Sequence, residues 1–344
     1  LGLWSVAAAA SISFGPLIGG YLVDDYSWHL IFDVNVPVGL AAILFAIFIQ
    51  KEWRGARAGS FDWPGFLCVV CFMPLLIFAL ARGNSPLNPE GWSSPEVIGC
   101  FAVAAAALIV FIVRELRCEN PLLNLKLLGE RNFGVSMAVL AIFGIGMLGG
   151  TYLLPLYMQK GLGYTAIMAG SVFLPVGLIQ GVLSTCSGFL TRYIKPLFIA
   201  VTGILVMTLS FYFASRFTLH TTHAQIMLVL YLRGFGMGLT FAPLNDFSLM
   251  NLSQRDMASA AGISNSIKQL SGSVSIALLT VILTGRTAFH SAQGGLSSAE
   301  SYVAGISDDF LFVTFVSLAS ALPFLWLLRP RRKAASFKSE GTGT

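Results

Sequence analysis

Two neighbouring stretches decide the fold: Gly15-Pro16-Leu17-Ile18-Gly19-Gly20 and, after Asp24-Asp25, Ser27-Trp28-His29-Leu30-Ile31-Phe32-Asp33-Val34-Asn35-Val36-Pro37-Val38-Gly39. The first lies in an uncharged run from Leu1 to Val23. That is long enough for a helix to cross the hydrocarbon core of a bilayer, which takes about 20 residues. Proline removes a backbone donor and bends the helix, while glycines at 15, 19 and 20 leave a flat strip that another helix can approach closely. Taken alone, the strip is explained equally well by an ordinary kinked membrane helix. No charged segment precedes the run, and Gly-Pro and Gly-Gly pairs occupy the place of a cleavage site. The run therefore reads as a genuine span whose chain begins further upstream, not as a signal peptide.

The same pattern continues outward. Uncharged runs extend over Trp63 to Ala81, Val97 to Val113, Asn132 to Gln159, Gly161 to Thr191, Pro196 to Ser215 and Phe310 to Leu328. Ten spans are expected, near 1–23, 30–50, 62–82, 96–115, 133–158, 167–191, 196–215, 225–249, 260–284 and 310–328. The 344 residues are 56% hydrophobic and only 11% charged, with a mean hydropathy of +0.77, which cannot cover a water-facing surface. Soluble-enzyme, disordered and nucleic-acid-binding readings are excluded on that ground. Backbone groups cannot stay unpaired in lipid, and the runs are too long and uniformly apolar for barrel strands. The expectation is an all-α polytopic membrane protein. Five cysteines, four of them in apolar runs, imply no disulfide framework. The Cys68–Cys71 pair lacks the further ligands that zinc needs, so no metal, cofactor or catalytic residue is assigned.

The net charge of +5 is read first as a topology signal. Fifteen Lys and Arg fall on one side of the spans, among them Lys51, Arg54, Arg57, Arg114, Arg117, Lys126, Arg131, Arg192, Lys195, Arg255 and the basic tail. Four fall on the other: Arg82, Lys160, Arg216 and Arg286. The positive-inside rule places the basic side, and both chain ends, in the cytoplasm. Polar connectors at Lys51–Phe61 and Arg117–Arg131 set off two spans as a hairpin. The expected layout is two helices of one bundle (1–50), a central hairpin with its connectors (51–131), a six-helix bundle (132–328) and a basic, disordered tail (329–344).

The Gly-Pro-x-x-Gly-Gly strip followed by Trp28, Ile31, Phe32, Asn35, Pro37 and Gly39 resembles the fourteen-span drug:proton antiporter branch of the major facilitator superfamily, the EmrB/QacA type. Its antiporter motif lies on the fifth helix, and the Trp-to-Gly stretch opens the sixth. Further matches follow in order. They are Phe61-Asp62-Trp63-Pro64-Gly65, Asn120-Pro121-Leu122-Leu123, Leu154-Pro155-Leu156-Tyr157-Met158-Gln159, Arg233-Gly234-Phe235-Gly236-Met237-Gly238 and Ala242-Pro243-Leu244. The chain departs from the pattern at His29 and Leu30, where Arg and Trp are usual, and at Gly188–Arg192, which lacks the family's Asp. The resemblance implies a secondary transporter that exports small amphipathic molecules in exchange for protons, in the bacterial cytoplasmic (inner) membrane. It leaves open a periplasmic adaptor protein, and it implies that the first four helices, with their coupling acid, lie outside this chain. The segment by itself is then expected to insert into lipid without transporting.

Candidate site residues fall into two groups. Gly15, Pro16, Gly19 and Gly20 are expected to pack between bundles, against Gly170, Gly177 and Gly181 of the sixth span. Polar residues within spans are costly and point to function. Arg233 and Lys268 each sit about eight residues into a span, or ~12 Å deep. Asn265, Lys268 and Gln269 share one helical face expected to border a cavity, and Gln180 and Asp246 are further candidates. Arg233 is expected to pair with an acid or a substrate anion. Snorkelling to the interface is the competing account of both cations. A membrane-embedded enzyme is disfavoured because all four histidines fall at or beyond span ends. A non-transporting scaffold or receptor is the remaining alternative.

Overall fold

The computed structural model describes residues 2–49, 62–83, 85, 88–118, 121–293 and 295–326, with backbone alone for 2–13, Arg255 and Leu325. The Lys51–Phe61 connector (except Asp62, which follows it) and the tail 329–344 lie outside the described residues. Ten helices follow in order: α1 (Gly2–Asp25), α2 (Leu30–Ile49), α3 (Trp63–Gly83), α4 (Pro95–Arg117), α5 (Arg131–Gly161), α6 (Ala166–Leu190), α7 (Pro196–Ala214), α8 (His223–Leu249), α9 (Met257–Ala292) and α10 (Ser298–Phe324). Among the described residues there is no strand, as a chain in lipid requires unless it closes a barrel. Helices α2 to α10 are each long and apolar enough to cross a membrane.

Two spans differ from the sequence expectation. Helix α9 runs on to Ala292, and α10 begins at Ser298 rather than near residue 310. A capping box explains the second: the Ser297 hydroxyl accepts from the Glu300 N–H while the Glu300 carboxylate accepts from the Ser297 N–H, which starts the helix twelve residues before the apolar run. Asp308 and Asp309, just ahead of the expected span, therefore lie inside a spanning helix.

Helices α5 to α10 share one core, with Phe133, Phe143, Leu153, Ile204, Phe211 and Phe310 among its fully enclosed side chains. Helix α8 is wedged between α6 and α7. Its alternating glycines explain how. A Cβ on Gly234 would lie 2.9 Å from the Val176 carbonyl of α6, and one on Gly236 would lie 2.8 Å from the Met207 nitrogen of α7. Only glycine lets the three backbones approach so closely. Helices α3 and α4 form an antiparallel pair that meets the bundle mainly through α9 and the 125–129 turn, while α1 packs along α6. No side chain of α2 is buried.

Candidate functional site

Helix α1 meets α6 backbone to backbone. A Cβ on Gly20 would fall 2.5 Å from the Ala166 carbonyl oxygen, and a Cβ on Gly170 would collide with the carbonyl of Pro16. Gly15 and Gly19 face open space, so Pro16 and Gly20 make the contact and the other two glycines of the strip do not. One turn beyond Gly20, Asp24 finishes the junction: its two carboxylate oxygens accept from the Ala166 N–H at 3.2 Å and the Ile167 N–H at 2.6 Å. The first turn of a helix leaves such N–H groups unpaired and carries partial positive charge, which a carboxylate satisfies. Thr165 caps the same turn through Met168. Asp24 was not singled out from sequence, where the Asp24-Asp25 pair reads simply as the end of an apolar run.

Arg233 of α8 is 2% exposed. One guanidinium nitrogen donates to the Met147 carbonyl at 2.9 Å and to the Thr151 hydroxyl, both on α5. The other Nη has no partner. Gly150 makes room for the group, since a Cβ there would lie 2.5 Å from that nitrogen. A carbonyl and a hydroxyl thus stand where an acid or anion is expected. Thr151 itself is exposed, so the guanidinium lies directly beneath an open face of α5.

Lys268 of α9 sits with its ammonium 5.6 Å from the ring centre of Phe241 on α8, and that ring meets Phe143 of α5 edge to face. Cation–π attraction gives the ammonium a resting place without an acid. Asn265 and Gln269 are exposed beside it on the same helix, and Gly272, further along, packs against Leu148. Asp246 is exposed on α8, three residues after the buried Pro243. Gln180 is half-buried on α6, its side-chain carbonyl oxygen enclosed without a partner. Lys268 and Phe241 are brought together, but among the described residues no hydrogen bond or ion pair joins any two of Gln180, Arg233, Asp246, Asn265, Lys268 and Gln269.

Three acidic centres lie outside these candidates. At the far end of α9, Arg286 and His290 both reach Asp308 of α10, at 2.6 and 2.8 Å. Next to it, Asp309 is fully enclosed. At the basic end of the hairpin, Asp62 precedes α3, accepts from the Gly65 N–H at 3.1 Å and pairs with Arg114 of α4 at 2.7 Å. Burial pushes the Asp62 carboxyl up, but the Gly65 N–H and Arg114 outweigh it and hold the group below the usual carboxylate range. Glu115 beside it is enclosed and accepts from the Leu123 N–H at 3.0 Å. The capping box at Ser297 was the available sequence signal for Asp309. Among the described residues no group of three or more His, Cys, Asp or Glu is placed to hold a metal ion.

Comparison with known proteins agrees with this architecture. The sequence profile of the Major Facilitator Superfamily matches residues 1–276. The chain is 31% identical over 294 residues to the uncharacterized MFS-type transporter YhcA of Bacillus subtilis, covering 85% of this chain and 54% of that protein. It is 30% identical over 296 residues to the multidrug export protein EmrB of Escherichia coli, covering 85% and 57%. With the puromycin resistance protein pur8 of Streptomyces alboniger, identity is 27% over 97% of this chain and 67% of that protein. The chain spans just over half the length of the first two relatives. With one uninterrupted profile match over most of its length and relatives of the EmrB type along the same residues, the chain belongs to the Major Facilitator Superfamily.

Proposed function

We propose that this chain supplies the C-terminal bundle, the central hairpin and two helices of the N-terminal bundle of a proton-coupled exporter of small amphipathic molecules. Residues of the kind its longer relatives possess beyond the match would complete the N-terminal bundle. The names of those relatives, a multidrug export protein and a puromycin resistance protein among them, support export as the activity. The fifteen-to-four distribution of Lys and Arg supports a cytoplasmic position for both ends, and relatives from bacteria support the cytoplasmic membrane. Protons, the exported molecule and the bilayer are the partners in this reading, and a periplasmic adaptor is a further one.

The observation that carries the proposal is the α1–α6 junction. It joins a helix of one bundle to a helix of the other at the end away from the basic loops, through Gly20, Gly170 and the Asp24 cap. Alternating access rocks one bundle against the other, so such a junction closes the outer side and has to part when the transporter opens outward. Gly20→Leu in the complete protein should abolish proton-driven dye efflux while leaving membrane insertion intact, because a side chain there meets the Ala166 carbonyl. Normal efflux by Gly20→Leu would remove the junction from the mechanism. Dye binding without any proton-driven flux by the unaltered protein would favour a receptor.

A further inference from the structure

We propose that Asp309 is a proton-binding site inside the six-helix bundle, held as the neutral acid in the conformation seen here. Its place in the fold carries the argument. Asp309 lies eleven residues after Ser298, about 16 Å along α10, within the spanning part of the helix. The residue is 0% exposed, and among the described residues neither carboxylate oxygen has a hydrogen-bond partner. Further helices packed onto this chain would only enclose it more.

A carboxylate in such a place has to be compensated or neutral, because an isolated buried charge costs several kcal/mol even after relaxation. Among the described residues no cation is turned to Asp309. On α9, Arg286 and His290 are both turned to Asp308. Helix α7 contains no Asp, Glu, Lys, Arg or His. On α5 the titratable groups are Tyr152, whose hydroxyl meets Thr280, Tyr157, whose hydroxyl donates to the Thr218 carbonyl, the exposed Lys160 at the helix end, and Arg131 at the opposite end, which donates to the Trp326 carbonyl. In the 215–222 connector, Arg216 turns back to Tyr212, and Ser307, not Asp309, reaches the Phe217 carbonyl. The groups that act on Asp309 are Asp308, a second acid, and Tyr302 on its own helix.

A metal cation is the wrong ligand, since hard cations need six or more oxygens and Asp309 has none turned to it. A proton needs only the carboxylate. Towards the far end, the enclosed hydroxyls of Ser301 on α10 and Thr287 on α9 also lack partners among the described residues. The adjacent pair divides the work: Asp308 pairs with Arg286, and Asp309 takes up the proton.

The test is infrared spectroscopy of the complete protein in liposomes. The wild type should show a protonated-carboxyl C=O band at neutral pH that fades as pH is raised. Asp309→Asn, which keeps the shape of the neutral acid, should lose one carboxyl's share of that band, and Asp308→Asn should not. An unchanged band in a correctly inserted Asp309→Asn protein would overturn the site. If that variant fails to insert, carbodiimide labelling of the wild type with peptide mass spectrometry decides. Modification of Asp309 that declines with rising pH supports the proposal, and an unmodified Asp309 beside other labelled carboxyls overturns it. The site matters for coupling only if the export reading holds, and dye flux on the same liposomes tests that separately. Absence of flux would sink the exporter while leaving the carboxyl band to judge Asp309.

Discussion

Helices α2 and α5 are almost equally apolar, yet among the described residues no side chain of α2 is buried while Phe133, Phe143 and Leu153 of α5 are fully enclosed. The two helices also differ in what interrupts the apolar residues. Helix α5 carries Gly134, Gly144, Gly146, Gly149 and Gly150, with Ser136 enclosed beside them, whereas α2 has one glycine, Gly39, with nothing near it. In lipid, apolar side chains gain nothing by leaving their surroundings, so helices associate where small residues let backbones come close and where polar groups find partners. Hydropathy therefore locates a span, and small residues locate its neighbours.

The largest expected effect breaks this contrast directly. In Gly236→Val the new Cβ lies 2.8 Å from the Met207 nitrogen and 3.0 Å from the Gly203 carbonyl, so backbone has to move. The expected loss is about 3 kcal/mol, the upper part of the overpacking range. Gly39→Val, with nothing within 4 Å, should stay within about 0.5 kcal/mol. Thermal unfolding in detergent compares them, and equal losses would show that α2 has a partner beyond the described residues.

A second effect sharpens the meaning of polar groups in the buried region. Arg233 is enclosed, half-satisfied and without an acid, which is an expensive arrangement for structure alone. Exchanging buried charges for apolar side chains of similar volume is often neutral or stabilising, by roughly 1–4 kcal/mol for pairs and triads. Arg233→Met is accordingly expected to unfold at the same temperature as wild type or higher, and to lose efflux. A variant that is less stable and still transports would make Arg233 a structural residue.

How much of this was legible beforehand follows the same division. The ten helices could be read, two of them with misplaced bounds, because burial in lipid demands long apolar runs, and the resemblance rested on residues that shape backbones: Gly20, Pro16, and the alternating glycines of α8. Side-chain partners were not legible. Arg233 was expected opposite an acid, because sequence shows depth along a helix but not which neighbour presents a free carbonyl. Asp309 was missed because hydropathy began the last span at residue 310, although Ser297 and Glu300 mark the true start. Gly19 and Gly20 are adjacent in sequence, and only packing tells which one faces α6.

The hairpin stands between the two extremes, and its expected effect is smaller. Its basic end is held by Asp62, whose bonds to Gly65 and Arg114 favour the ionised form. A carboxylate held below its ordinary value of about 3.9 contributes stability that is complete above that value and disappears as pH falls through the lowered one. Proteolysis near the hairpin should therefore increase only under strong acid. In Asp62→Asn it should be raised, and independent of pH, over the same interval. Identical acid profiles would mean that the Asp62–Arg114 pair is not what fastens this end.

The smallest effects are expected along α2, and their pattern carries more information than their size. Replacing each residue from Val36 to Ile49 in turn by Ala in the complete protein should cost less on average than the same series in α5, where Phe143 or Leu153→Ala should cost about 2–5 kcal/mol. If residues outside this chain cover one face of α2, the small losses should recur every three or four positions, as a helix buried on one side requires. If α2 is surrounded by lipid, no period should appear, because each side chain exchanges one apolar environment for another. A clear period would place further helices against α2, and the face it marks would give their position. A flat profile would leave α2 as a lipid-facing helix and would count against its membership of an N-terminal bundle.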